Sequence, residues 1–388
     1  MADDNRPGRA ELEAAGLYDP DAEDASAHLA LLEYLVGIGA TLDDLLTAKP
    51  GELPVLASTI ALWGNRERLT LDEVAAASGV EPALIARTWR AAGLPEPDPD
   101  VRAFSGHDVE ILTLLRGGIE FLGEEVTIQM MRVLGAAAAR VADASATAFF
   151  VNIMPQAIEH DPSGLELARA NAESMVLLDG MTRGFDTLLR HHIERGFRPI
   201  EALSTAAGID LVRRSVGFAD LVDSTAWTQT LELPALSQAL STFDSTASEI
   251  VVRYGGRVVK LIGDSVMFVA HDPVAATEIA LTLVDAFASH EVLPPVRAGI
   301  ATGDVLARDG DYSGGVVNLA ARAVNVARPS TVLVDPQTLF ALDGSATFSC
   351  RPAGEFALKG FGSPVQLSHV ERRDSVESST NPRRASSD

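Results

Sequence analysis

The sequence predicts a two-domain protein, an all-α half followed by an α+β half. Three observations lead there. A chain of 388 residues exceeds what one ordinary core supports. From about residue 11 to 195, apolar residues recur at helical spacing and strand signals are nearly absent. Beyond Gly196-Phe197-Arg198-Pro199 the pattern changes to short apolar runs alternating with helical stretches, as a domain of sheet and helices requires.

The elements follow in order. Residues 1–10 are polar and are expected to be disordered. Residues 11–195 form the helical domain. In it Leu29, Leu32, Leu35 and Val36 share one helix face, as do Leu177, Leu178, Met181, Phe185, Leu188 and Leu189. Ala136 to Ala139 favour helix. Gly93-Leu94-Pro95 and Asp161-Pro162-Ser163-Gly164 end helices. Residues 196–212 read as a linker, and 213–372 as the sheet domain. There the spacing predicts strands at Arg214–Phe218, Arg257–Leu261, Ser265–Ala270, Val296–Thr302 and Thr331–Val334. It predicts helices at Pro234–Val252, Val274–Ser289 and Asn318–Ala327. The tail, 373–388, is rich in Ser, Asn and Arg, holds no core, and is expected to be disordered.

Composition narrows the class. Apolar residues make up 47% of the chain and the formal charge is −23, so duplex DNA and anionic membranes repel it on average. Cys350 is the single cysteine, which fits a reducing compartment. Met1-Ala2-Asp3-Asp4-Asn5-Arg6 is charged and polar, unlike a secretory signal. The longest apolar run, Leu53 to Gly64, contains Pro54 and is too short to cross a bilayer. These features predict a soluble cytoplasmic protein with no membrane span and no nucleic-acid partner.

Three stretches carry chemistry. Phe218-Ala219-Asp220-Leu221-Val222-Asp223-Ser224-Thr225 and Lys260-Leu261-Ile262-Gly263-Asp264-Ser265-Val266-Met267 each set a carboxylate beside a short strand. Either aspartate alone would read as a helix or turn cap. Together they could hold divalent metal over a triphosphate, since magnesium is usually bound by one or two carboxylates with phosphate and water completing its shell. The third stretch runs from Gly310-Asp311-Tyr312-Ser313-Gly314-Gly315 to Asn318 and Arg322, the last two four apart on one helix face.

These stretches resemble the class III nucleotide cyclases, over about residues 213–372. The resemblance implies a ferredoxin-like α+β catalytic domain that converts ATP to 3′,5′-cyclic AMP and pyrophosphate. It implies Asp220 and Asp264 as metal ligands, with the backbone carbonyl of Leu221, for two Mg2+ or Mn2+ ions per site. Lys260 and Asp311 match the pair that reads adenine; guanylate cyclases carry Glu and Cys-type residues there. Asn318 matches the residue that orients the ribose, and Arg322 the one that stabilises phosphate charge in the transition state. The family pairs its domains head to tail, so a homodimer of this chain would carry two composite sites. Asp223-Ser224-Thr225 stands where many members have a glycine and an aromatic, and Tyr312-Ser313-Gly314-Gly315 where an aromatic second residue is common. Neither departure is expected to touch the six functional side chains.

The first half resembles, by its length and helical arrangement, the regulatory domain of an actinobacterial subgroup of these cyclases, in which a helical domain inhibits the catalytic one and responds to pH. His191 and His192 would be the natural proton switch, although two exposed histidines at a helix C-terminus also fit the helix dipole. Its apolar helices could also enclose a lipid-like effector. A rival reading starts from Leu69 to Pro95, which resembles a MerR-like helix-turn-helix with Gly79 in the turn. The chain would then be a nucleotide-responsive DNA-binding regulator with a non-catalytic cyclase-like domain. Charge argues against it: residues 69–112 hold Arg87, Arg90 and Arg102, no lysine and eight acids, a net of −5, and DNA affinity rests on neutralising phosphates.

Overall fold

The computed structural model describes residues 6–49, 51–64, 68–96, 98–161, 163–196 and 211–373. They belong to two compact units, 1–199 and 200–388. Of the segments expected to be disordered or linking, residues 1–5, 197–210 and 374–388 lie outside the described residues.

The first unit is helical: α1 (Arg9–Ala14), α2 (Ala25–Ile38), α3 (Leu42–Thr47), α4 (Leu53–Trp63), α5 (Leu71–Ser78), α6 (Pro82–Ala91), α7 (Gly106–Leu122), α8 (Glu124–Asn152), α9 (Met154–His160) and α10 (Leu165–Gly196). Its only pairing of extended backbone among the described residues is the bridge Leu69–Phe104. Local chemistry sets the helix ends. Thr41 with Asp44, and Thr70 with Glu73, form reciprocal capping boxes. Gly79 takes φ 68 after α5, where a side chain would be strained. Two separate small cores result. One gathers Leu12, Leu32, Leu35, Leu45 and Ala57; the other gathers Val74, Ile85, Phe104 and Leu112.

α5 and α6 do form the helix-turn-helix that the sequence suggests. Its arginines are occupied within the unit, however. Arg87 pairs with Glu124 and Glu125, and Arg90 with Glu96. The apolar stripe of α10 is helical as expected, yet Leu177, Met181, Phe185, Leu188 and Leu189 are exposed. The expectation of no membrane span meets one candidate among the described residues: the α8–α9 stretch, Glu124–His160, is long and apolar enough by length and composition alone. Its many alanines concealed it as an apolar run, and it also carries Arg132, Arg140 and Asp143, which a bilayer centre disfavours.

The second unit is a mixed sheet covered on both faces. Its elements are β1 (Leu211–Leu221), α11 (Ser224–Thr228), α12 (Leu233–Arg253), β2 (Arg257–Ile262), β3 (Ser265–Ala270), α13 (Pro273–Phe287), β4 (Val296–Arg308), β5 (Asp311–Ser313), α14 (Gly315–Val326), β6 (Val332–Val334), α15 (Pro336–Leu342), β7 (Phe348–Phe356) and β8 (Val365–Arg372). The strand order is β2-β3-β1-β4-β6-β8-β7, with β5 added on β4. Only β4 and β6 run parallel; the other pairs are antiparallel. Alternation along β1 sends Ala219 and Leu221 into the larger core, with Phe243, Phe268 and Phe287. Val216 and Phe218 face the other side, where α14 lies with Ala320, Val316 and Leu319.

Gly299 makes the approach of α14 possible: a Cβ there would stand 2.3 Å from the backbone nitrogen of Val324. On the larger core, buried Asp335 caps α15. It accepts from the amides of Thr338 (2.9 Å) and Thr302 (3.2 Å), and the Thr302 hydroxyl bridges Ser215 and Thr338. Burial pushes the Asp335 carboxyl above the usual range, and the hydrogen bonds recover only part of that rise.

Candidate active site

Asp220 is the last but one residue of β1 and lies opposite Ser265 of β3 on one side and Arg297 of β4 on the other. The β2–β3 hairpin turns through Gly263, at φ 63, and sets Asp264 immediately before β3. The Leu221 amide donates to the Asp264 carbonyl at 3.1 Å. Two aspartates far apart in sequence are thereby tied side by side. Burial raises the Asp220 carboxyl above its ordinary range; a hydrogen bond from Arg297 works against this, and the charge of Asp264 adds to it. A half-buried carboxylate beside a second one is an arrangement that a cation relieves.

Two residues around this pair escaped the sequence reading. Arg297 donates to the Asp220 Oδ2 from Nη2 (2.9 Å) and Nε (3.3 Å), and from Nη1 to the Asn325 carbonyl (3.2 Å). Its signal was a lone charge inside the otherwise apolar run from Val296 to Ala301. Ser224 donates its hydroxyl to the Asp264 carboxylate. The expectation that the Asp223-Ser224-Thr225 departure leaves the functional positions untouched is therefore corrected. The hydroxyl reaches where an aromatic ring could not donate, and Asp223 adopts φ 52, the backbone a glycine takes easily.

The donor set suits a hard divalent cation: two carboxylates and the carbonyl end of a strand, all oxygen. Among the described residues no cluster of three or more His, Cys, Asp or Glu side chains is built to hold a metal. Asp220 and Asp264 would therefore share the ion with phosphate oxygens and water, as magnesium sites commonly do.

The other predicted side chains stand on β2, β5 and α14. Lys260 donates to Asp311 Oδ2 at 2.5 Å, and the Tyr312 amide donates to Asp311 Oδ1 at 2.8 Å. Burial would raise the Asp311 carboxyl, but these hydrogen bonds and the charges of Lys260 and Arg257 hold it below the usual range. Asn318 and Arg322 share the exposed face of α14, opposite buried Ala320, Ala323 and Val324. Neither has a hydrogen-bonding side-chain partner among the described residues. The structure thus joins Asp220 with Asp264 and Lys260 with Asp311, and leaves Asn318 and Arg322 free on one helix face. His191 and His192 lie exposed near the end of α10.

Comparison with known proteins agrees with both halves. Residues 10–192 match the model of the adenylate cyclase regulatory domain, and residues 211–370 that of the adenylate and guanylate cyclase catalytic domain. An uncharacterised protein of Mycobacterium tuberculosis is 33% identical over 97% of this chain and 98% of its own length. An adenylate cyclase of Streptomyces coelicolor is 34% identical over 74% of this chain and 76% of its own. A protein named pH-sensitive adenylate cyclase, also from Mycobacterium tuberculosis, is 29% identical, covering 88% of this chain and 87% of that one. With a sheet unit of the expected α+β class behind a helical unit, the chain belongs to the class III adenylate cyclases that carry a helical regulatory domain.

Proposed function

We propose that residues 213–372 make cyclic AMP at sites shared between two copies of the chain, under control of the helical domain at 11–195. The ribose 3′-hydroxyl attacks the α-phosphate and pyrophosphate leaves. Asp220, Asp264 and the Leu221 carbonyl would hold two Mg2+ or Mn2+ ions, whose positive charge would favour loss of the hydroxyl proton and balance the leaving oxygens. Lys260 donates to an adenine ring nitrogen, and Asp311 accepts from the 6-amino group. Guanine presents the opposite pattern, so the wrong base leaves both readers unpaired. Asn318 orients the ribose. Arg322 faces the charge that builds on the phosphates, where a fixed guanidinium acts without reorganising. Arg297, bonded to the Asp220 carboxylate, would hold that metal ligand in place.

The observation that carries this reading is that the end of β1 holds Asp220 beside Asp264 of the β2–β3 turn, through the Leu221 amide bond to the Asp264 carbonyl, while Asn318 and Arg322 face outward from another element. Metal-binding groups at a strand end and a turn, with phosphate-binding groups facing out from a helix, fit a site completed by a second copy. Mixing inactive Asp264→Ala with inactive Lys260→Ala protein tests it. Mixed dimers hold one intact site, so cyclic AMP formation from ATP should return to a substantial fraction of the wild-type rate. No recovery on mixing, with both variants folded and dimeric, would sink the shared site.

The name of one relative supports pH as the controlling signal. His191 and His192, near the end of the helical domain and before the linker at 196–212, are the proposed sensors. A cytoplasmic location suits the supply of ATP.

A further inference from the structure

We propose that Arg257 and Tyr312 form a strut that fixes the orientation of Asp311, making Arg257 a positioning residue for purine selection. This rests on reading Lys260 and Asp311 as the base readers.

β5 is three residues long and pairs only with β4. Asp311 occupies its first position, directly after a turn in which Asp309 has φ 55 and Gly310 φ 77. Such a short ladder fixes its own end weakly. Two side chains of β2 reinforce it through three contacts. Lys260 bonds the Asp311 carboxylate. Arg257 donates to the Gly310 carbonyl from both terminal nitrogens, at 3.4 and 3.3 Å. Its guanidinium carbon also sits 5.2 Å from the centre of the Tyr312 ring, within range of a cation–π contact. Gly310, Asp311 and Tyr312 are thus gripped at three consecutive residues.

Tyr312 is anchored in turn. Its ring packs against the α14-side core with Val212, Phe218 and Val259. Burial alone would raise its hydroxyl, yet hydrogen bonding and charge from Arg257 and Arg214 lower it. The division of labour follows. An adenine entering between Lys260 and Asp311 must take over part of their mutual bond, so that bond cannot alone hold the turn while the base is read. Arg257 grips the neighbouring residues and keeps its contacts when the base arrives. An Asp311 free to rotate would still accept a hydrogen bond but would penalise the wrong base less.

The test compares ATP with GTP in the full-length chain, reading kcat and KM for cyclic AMP and cyclic GMP formation. Arg257→Ala should lower the ratio of kcat/KM for ATP over GTP about fivefold, mainly through KM for ATP. Arg257→Lys, which keeps the charge but loses the flat stacking surface, should fall between. Tyr312→Phe should keep more of the ratio than Tyr312→Leu, and the pair Arg257→Ala with Tyr312→Leu should lose no more than the worse single variant. A ratio unchanged in Arg257→Ala, or kcat lowered equally for both nucleotides, overturns the strut. If Arg257→Ala does not fold, the Lys variant decides on the same criterion. A wild-type chain that shows no preference for ATP would bring down the base-reader assignment itself, a different failure, visible before any variant is made.

Discussion

In the sheet unit Phe243, Phe268, Phe287 and Phe348 are all buried, whereas in the helical unit Phe121, Phe150, Val176 and Leu188 stand exposed on the long helices. Both units have ample apolar residues; they differ in what the residues have to pack against. A sheet with helices on both faces closes its core from within one chain. Helices such as α8, with 29 residues, and α10, with 32, outreach the two small cores beneath them, and large apolar patches of this kind mark surfaces that meet other surfaces. The comparison separates two roles. The catalytic geometry is held by contacts inside the sheet unit, on rigid strands and one seated helix. The helical unit has surface to spare, which is what a control element needs.

The sharpest break of this comparison is Arg322→Ala. The guanidinium is exposed and has no bonding partner among the described residues, so folding should not notice its loss. Turnover should fall by about 10²–10³-fold, the usual loss for one transition-state donor. Steady-state assays beside thermal melts decide it; a lowered melting temperature would mean that Arg322 is structural. The opposite profile is expected at Asp335, which is remote from the proposed chemistry. Asp335→Ala strands the amides of Thr302 and Thr338 in the core and should cost about 2 kcal/mol in urea melts. Asp335→Asn keeps an oxygen acceptor and should cost less. The pH dependence has a definite sign. A carboxyl raised by burial contributes stability that is complete below its unfolded value and is lost as pH rises through its folded one. The advantage of wild type over Asp335→Asn should therefore shrink from acid to neutral pH, and a gap that widens would contradict the burial argument.

Legibility divides along similar lines. β3 was readable to the residue, because Ser265–Ala270 is a short apolar run between a Gly-Asp turn and a polar stop. β1 and β4 run longer than expected: beyond Thr302, Gly303 and Asp304 pair with Arg214 and Arg213, and the ladder carries both strands on. β7 and β8 went unseen: β7 is an edge strand broken by a register shift between Pro352 and Gly354, so no alternation survives. In the site, the residues of the local motifs were legible and Arg297 was not. Its meaning lies in being the cross-strand neighbour of Asp220, and register between distant strands is a tertiary property. Ser224 was noticed only as a departure, because its contact with Asp264 depends on the turn after β1. In the helical unit the periodicity of α10 was correct, but periodicity gives a face and not what covers it.

The smallest expected effect tests the helical side of the comparison. His191 and His192 are exposed, and a charge at the end of a helix is worth only about 0.3–1 kcal/mol. Full exposure and salt keep both at the low end of that range, where protonating the pair shifts a balance between two arrangements of the unit about threefold, so the response should be graded and not all-or-none. On the proposed metal role, Asp220 would have to lose its proton to hold a cation, and burial raises its carboxyl, so the sheet unit is expected to have a pH response of its own. Residues 200–388 alone should thus lose activity toward acid pH, and the full chain should depart from that curve wherever the helical unit acts. The His191→Ala/His192→Ala double variant should move the full-length curve about two- to threefold toward that of the sheet unit. If the double variant and the wild-type chain trace one curve, the proton is sensed elsewhere, and the exposed helices become the next place to look for the signal.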